Sequence, residues 1–127
     1  MRSNKQKFNE ILVSLKKYTN ENLYNEIKDL KIEDDFRYYY LLAYCIYKLE
    51  IDKMEAENNI KLCIDLMEKQ RAHYINLNKN TRDIDLQADF IQVKESNVYF
   101  LAGEIYAVSG NYAESLKCYQ KYQYWTE

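Results

Sequence analysis

Residues that could support catalysis or metal binding are few in this chain of 127 residues. His73 is the single histidine, so a general base or an imidazole metal ligand has one candidate. The three cysteines, Cys45, Cys63 and Cys118, are far apart and have neither metal-ligand nor disulfide spacing. Cys63 occupies a core position in the helical pattern, where cysteine acts as a small hydrophobe. We therefore expect no catalytic residue, no cofactor and no metal ion.

Two acidic clusters, at residues 33–35 and 50–57, have spacings that do not favour a cation site. A calcium loop needs alternating oxygen ligands, a glycine and a distal glutamate, and the second cluster lacks that glycine. The first cluster is explained by capping of a helix N-terminus and by the helix dipole. Two isolated glycines also exclude a glycine-rich phosphate loop. The sequence therefore favours a protein that is not an enzyme.

Tyrosine is abundant, with fourteen residues, and three of them run together at 38–40. On a helix, successive residues point about 100° apart, so this run does not form one flat stacking surface for bases. The net charge of −2 supplies no basic excess, and we expect no nucleic-acid partner. No apolar run approaches the ~18 residues of a membrane span, and no signal peptide is evident. We expect a cytoplasmic, bacterial protein without a membrane partner.

The chain has almost no helix-breaking residues, since proline is absent and glycine occurs only at Gly103 and Gly110. Apolar residues at helical spacing predict six helices in a single domain, residues 1–127. We expect antiparallel pairs at about 4–31, 35–79 and 84–126. Gly110 is predicted to make the last turn, in a left-handed backbone conformation. Predicted caps are Thr19 or Asn20, Asp34 or Asp35, and Asp83 or Asp85.

The last third of the chain has a helix–turn–helix pattern of rings and small residues: Tyr99, Ala102, Gly103, Tyr106, Gly110, Tyr112, Ser115, Tyr119 and Tyr122. This pattern resembles the tetratricopeptide repeat. Subtracting 59 from each position gives a weaker copy: Tyr40, Ala43, Tyr44, Tyr47, Ile51, Lys53, Ala56, Ile60 and Cys63. The offset exceeds the family period of about 34 residues. We therefore predict an all-α, short TPR-like solenoid with an elongated helical hairpin between its second and third pairs.

The resemblance implies a function, because first helices of such pairs line a concave groove that accepts a peptide or a partner's helix. Carried over by position, the candidate contact residues are Tyr38, Leu41 and Cys45 on the third helix, and Asn97, Phe100 and Glu104 on the fifth. These positions are mainly apolar. The groove is therefore filled by the N-terminal helices as core, or holds an amphipathic helix or apolar peptide of a partner, or meets a second copy in a homodimer.

The main expectation is a non-catalytic scaffold or adaptor that binds a protein or peptide. One alternative is the N-terminal scaffold or regulatory domain of a longer enzyme or effector, cut near residue 127. It rests on Tyr124 and Trp125, which we expect to be exposed on a final helix without a capping glycine, since repeat arrays normally end in a polar cap. These two residues are also candidate partner contacts. The second alternative is a self-associating structural module.

Overall fold

The computed structural model describes residues 3–77 and 93–126, with side chains for all of these except 73–77. This part of the chain is all-helical, as predicted, and contains no strand. No helix within it is long and apolar enough to cross a membrane. The helices are α1 (Asn4–Val13), α2 (Asn20–Ile27), α3 (Phe36–Lys48), α4 (Lys53–Leu77), α5 (Glu95–Val108) and α6 (Tyr112–Thr126), with a single 3₁₀ turn at Leu15–Lys17.

Short polar side chains define the helix starts. Ser3 and Gln6 form a reciprocal capping box at α1. Thr19 accepts a hydrogen bond from the backbone N–H of Asn22 at the start of α2, and Asp35 caps α3 in the same manner. These bonds satisfy N–H groups that have no partner within the helix. The predicted caps at Thr19 and Asp35 are confirmed.

The helices α3 and α5 end in the same kind of turn. Gly110 has a φ of 82°, and the next N–H, of Asn111, donates to Tyr106 O at 2.8 Å. Glu50 has a φ of 55°, and the N–H of the following residue donates to Ile46 O at 3.0 Å. Both turns have the backbone pattern of the Schellman motif. The left-handed turn predicted at Gly110 is confirmed, whereas the turn at Glu50 places a non-glycine residue in that conformation.

Consecutive helix pairs stack through equivalent faces of α3 and α5. Tyr38, Leu41 and Cys45 of α3 are buried in one cluster with the apolar residues of α1 and α2. Val98, Leu101 and Ile105 of α5 are buried in a second cluster with α3 and α4. Both sets have i, i+3, i+7 spacing, so each lies along one side of its helix. The α1–α2 and α3–α4 pairs therefore each bury apolar surface under the next odd-numbered helix.

The equivalent buried residues of α3 and α5 are 60 positions apart in the sequence, so the predicted offset of 59 is wrong for these two helices. Tyr38, Leu41 and Cys45 become Val98, Leu101 and Ile105 when 60 is added, and the turn residues at 50 and 110 differ by 60 as well. Residues 49–52 separate α3 from α4, whereas only 109–111 separate α5 from α6. The extra residue in the first turn explains why an offset of 59 fits the second helices but is wrong for the first.

The crossing of α5 and α6 depends on a small residue at 103. A Cβ atom placed on Gly103 would lie 2.6 Å from Cε1 of the Tyr119 ring. The Ser115 hydroxyl donates a buried hydrogen bond of 2.7 Å to Gly103 O. The motif's small residues at 103 and 115 therefore let the two backbones approach closely.

The start of α5 differs from the prediction. Lys94 has extended backbone angles (φ −99°, ψ 159°), and the helix begins at Glu95 rather than near residue 84. Val93 and Glu95 are buried on either side of exposed Lys94. Because the backbone is not helical at 93–94, the helical extension of α5 back to about residue 84 is wrong at this point. The predicted loop at 78–81 and the hairpin residues at 84–90 lie outside the described residues.

Candidate functional site

A groove lies between α3 and α5, and its lining is mostly aromatic. Its cavity has a volume of about 260 Å³. Three lining residues come from α3 and four from α5, of which Leu101 is buried, with one ring from α6. We call this surface the aromatic groove and define it by Tyr40, Tyr44, Lys48, Asn97, Phe100, Glu104 and Tyr122.

The α5 side of the groove is the one stripe of that helix that is not buried. Asn97, Phe100 and Glu104 follow i, i+3, i+7 spacing, and all three retain exposed surface. Phe100 is 42% exposed, although its ring has aromatic neighbours. The ring centroid lies 5.1 Å from that of Tyr122 and 5.9 Å from that of Tyr119. Both tyrosine rings therefore pack against the Phe100 ring at distances typical of aromatic pairs.

The α3 side of the groove is built from stacked tyrosines and one lysine. Tyr40 and Tyr44 stack with centroids 6.2 Å apart. The Lys48 ammonium lies 5.7 Å from the Tyr44 ring centroid and 5.5 Å from that of Tyr47. These distances are within the range of cation–π attraction. The α3 half of the groove therefore already contains a cation placed on aromatic rings.

Glu104 is the carboxylate of the groove, and its negative charge contributes to raising the pKa of three nearby tyrosines. Burial raises the pKa of Tyr40 to about 12, and Tyr44, Cys63 and Glu104 add to the rise. Burial followed by the Glu104 charge also raises the pKa of Tyr47 and of Tyr119. These hydroxyls stay protonated at neutral pH. Within residues 3–77 and 93–126, the half-buried Glu104 carboxylate forms neither a hydrogen bond nor an ion pair.

Of the six residues expected to form the contact face, the structure brings together the three on α5. Tyr38, Leu41 and Cys45 are instead buried under α1 and α2. The Tyr38 hydroxyl donates to Ile27 O at 2.8 Å and accepts from the Lys31 N–H at 3.0 Å. These contacts satisfy the hydroxyl inside the core. The expected α3 contact residues are therefore core residues in this fold.

The groove residues on α3 follow from the corrected register. Subtracting 60 from Phe100, Glu104 and Val108 gives Tyr40, Tyr44 and Lys48. The offset of 59 instead pairs Tyr40 with buried Tyr99 and places Tyr44 at the glycine position of the repeat, and Tyr122 is not among the expected contact residues. Aligning the ends of α3 and α5 gives the correct offset, whereas aligning the starts of α4 and α6 gives 59, but no glycine marks the end of α3 in the sequence.

The end of α6 is only partly exposed. Trp125 is 9% exposed, and the Arg71 guanidinium lies 5.2 Å from its ring centroid. The expected exposure of Trp125 is therefore wrong, because its ring packs on α4. Tyr124 is 55% exposed, and its centroid lies 5.1 Å from that of Trp125. Of these two residues, only Tyr124 therefore has the expected exposure.

A larger cavity of about 540 Å³ lies between α4 and α6. Two of its lysines form ion pairs: Lys117 contacts Glu114 at 3.3 Å, and Lys121 contacts Glu68 at 3.1 Å. Burial acts to raise the pKa of Glu68, but hydrogen bonds from Tyr99 and Lys121 outweigh it and lower the pKa. Because two of its lysines are already paired, we favour the smaller aromatic groove as the binding site.

The three thiols form no reactive group with other described side chains. Cys45, Cys63 and Cys118 are free and buried. Burial raises the pKa of Cys45 to about 12 and that of Cys118 to about 11, which keeps both protonated at neutral pH. No group of three His, Cys, Asp or Glu residues in the described part of the chain could hold a metal ion. The His73 side chain lies outside the described residues.

Comparisons with known proteins give no match from which a function could be inferred, so the functional proposal depends on the geometry of the groove. No protein-family model matches this chain. Searches of curated proteins and of solved structures also give no match.

Proposed function

We propose that this chain is a non-catalytic scaffold whose aromatic groove binds a segment of a partner protein. The observation that carries the proposal is Phe100, a large ring that stays 42% exposed inside a cavity. Tyr119 and Tyr122 support it, so little conformational entropy is lost when a partner covers it. Rigid aromatic anchors of this kind supply much of the binding free energy in protein interfaces.

We also propose that the helix pairs form a tetratricopeptide-like stack. Supporting observations are the 60-residue register between α3 and α5, the equivalent stacking faces, and the close approach of Gly103 to Tyr119. In such a stack, first helices face a shared groove, and here α3 and α5 line the aromatic groove together.

The chemistry of the groove supports a binding role rather than catalysis. Burial holds the Tyr40 phenol in the protonated form, and the described part of the groove has no thiol, imidazole or metal cluster beside Glu104. Three buried, unpaired thiols support our proposal of a reducing cytoplasm as the location.

Affinity capture from a lysate of the native host, read by mass spectrometry, tests this function. The baits are the wild type, Phe100→Glu, and the control Leu62→Glu, which changes a side chain on α4 that is 48% exposed and outside the groove. Circular dichroism checks that all three are folded. We expect a protein retained by wild type and Leu62→Glu but lost with Phe100→Glu. Identical captures by all three baits would contradict a binding role for the groove.

Self-association is a second candidate, and the outer face of α6 favours it. Tyr112 is 72% exposed and Leu116 is 59% exposed, and residues four apart lie on the same side of a helix. An isologous contact between two copies of this face would cover both side chains. Sedimentation equilibrium over a concentration series, with Leu116→Lys as the variant, tests it. A wild-type mass that stays monomeric at every concentration would exclude this candidate.

A further inference from the structure

We propose that the segment bound in the aromatic groove presents a cationic side chain, arginine in preference to lysine, to Glu104 and to the rings of Phe100 and Tyr122. This inference rests on the proposed function and names the chemistry of its partner. The occupant is therefore a basic and apolar segment of another protein.

The first argument is charge complementarity at Glu104. Its carboxylate is half-buried among aromatic groups and forms no ion pair with the described residues. It adds to the raised pKa of Tyr40, Tyr47 and Tyr119, so three phenols on α3 and α6 feel its charge. Covering this carboxylate with an apolar segment would remove water from a charge without replacing it, which is unfavourable. A partner that supplies a cation avoids that penalty.

The second argument is the arrangement of the rings. On α3, the chain's own Lys48 lies on Tyr44 and Tyr47. The α5 half of the groove has the tilted ring pair Phe100 and Tyr122, and no cation of the described residues lies on either ring. Rings beside a carboxylate attract cations by the ring quadrupole and by charge together. The two halves of the groove are thus chemically alike, but only one contains a cation.

The position of Lys48 fixes the orientation of the bound segment. Its ammonium repels an incoming cation at the Tyr44 end and leaves the Phe100 end, next to Glu104, as the favourable position. Arginine suits this end better than lysine because a planar guanidinium stacks on a ring while pairing with a carboxylate through two N–H groups.

A random dodecapeptide library displayed on phage is the probe. The library is first depleted on immobilised Phe100→Ala, which removes the ring without adding a charge, and then selected on the wild-type chain. We expect the enriched peptides to place an arginine or lysine beside an aromatic or large aliphatic residue. The strongest peptide is then synthesised with a fluorophore, and its binding is followed by fluorescence anisotropy.

Charge variants at one position give the decisive comparison. We expect Glu104→Gln to weaken the selected peptide about tenfold, and Leu62→Glu to leave its affinity unchanged. With Glu104→Lys, the preference should reverse, so that a peptide in which glutamate replaces the basic residue binds more tightly than the original.

The possible failures separate this inference from the proposed function. Peptides that depend on Phe100 but lack a basic residue, or that bind Glu104→Gln as tightly as the wild type, would overturn the cationic partner and leave the groove as a binding site. A selection without any Phe100-dependent peptide would overturn the groove itself. Wild-type self-association that Phe100→Glu abolishes would make a second copy the occupant and would also overturn this inference.

Discussion

Replacing Gly103 with alanine should test the close approach of α5 and α6. The added Cβ would lie 2.6 Å from Cε1 and 2.8 Å from Cζ of Tyr119, well inside ordinary van der Waals contact. The Tyr119 ring must therefore move, and it also contacts the Phe100 ring. Movement of the Tyr119 ring thus disturbs one wall of the aromatic groove.

Two opposing effects set the size of the change. Overpacking of this kind costs about 1–3 kcal/mol. Alanine is favoured over glycine inside a helix by about 1 kcal/mol. We expect Gly103→Ala to lower the free energy of unfolding by up to about 2 kcal/mol, the difference between these two effects. In a Tyr119→Ala background the clash is absent, so the same substitution should raise it by about 0.5–1 kcal/mol.

Urea denaturation followed by far-UV circular dichroism measures all four proteins of this cycle. The expected result is a change of sign, since alanine at 103 destabilises the chain with Tyr119 and stabilises the chain without it. A coupling of this size is outside the error of such cycles. An equal effect of Gly103→Ala in both backgrounds would refute the close contact between the two residues.

Further predictions concern buried ionisable groups. Arg37 and Asp35 form a buried pair at 2.7 Å, so Arg37→Ala should lower the free energy of unfolding by about 3–5 kcal/mol in urea titrations. The three buried thiols should not react with Ellman's reagent near pH 8 in the native protein, and all should react in urea. Because burial raises the pKa of Tyr40 to about 12, the unfolded chain should lose that phenolic proton first, at about pH 10. The stability that Tyr40 contributes is complete below pH 10 and should decline from there to about pH 12, as urea titrations at each pH would show.

Each of these predictions has a contradicting result and a control. A loss below about 1 kcal/mol for Arg37→Ala would mean that the pair behaves like an exposed one, for which Lys5→Ala at the exposed Lys5–Asp34 contact is the comparison. Rapid reaction of any thiol in the native protein would contradict its burial. Tyr40→Phe should make the alkaline decline less steep, and an unchanged slope would assign the decline to other phenols.

Much of the fold could be predicted because local chemistry determines it. Without proline and with two glycines, the chain favours helices throughout, and Thr19 and Asp35 begin two of them as predicted. The roles of Gly103 and Gly110 were also predictable. Position 103 has no space for a Cβ atom beside the Tyr119 ring, and position 110 has a positive φ. Glycine satisfies both requirements.

The α3 half of the site could not be derived from the repeat pattern alone. The turn after α3 is one residue longer than the turn after α5, and a shift of one residue rotates a helix face by about 100°. Tyr38 and Leu41, which we expected to line the groove, therefore lie in the core, whereas Tyr40 and Tyr44 line the groove. Glu50 hid this difference, because a glutamate with a positive φ gives no turn signal in the sequence.

The start of α5 was mispredicted for a different reason. Helical spacing around residues 84–93 favoured a continuous helix, but the backbone is extended at Lys94, where the neighbouring Val93 and Glu95 are both buried by tertiary contacts. A single sequence does not reveal which of these two effects dominates, because the burial depends on contacts distant in the chain.

Mapping by ¹H–¹⁵N NMR of the selected phage peptide on the wild-type chain tests the central claim most directly. We predict that the largest shift changes on titration belong to Tyr44, Lys48, Asn97, Phe100 and Glu104 and that the amides of α1 and α2 stay in place. Shift changes centred on the outer face of α6, or spread evenly over the chain, would contradict binding in the aromatic groove.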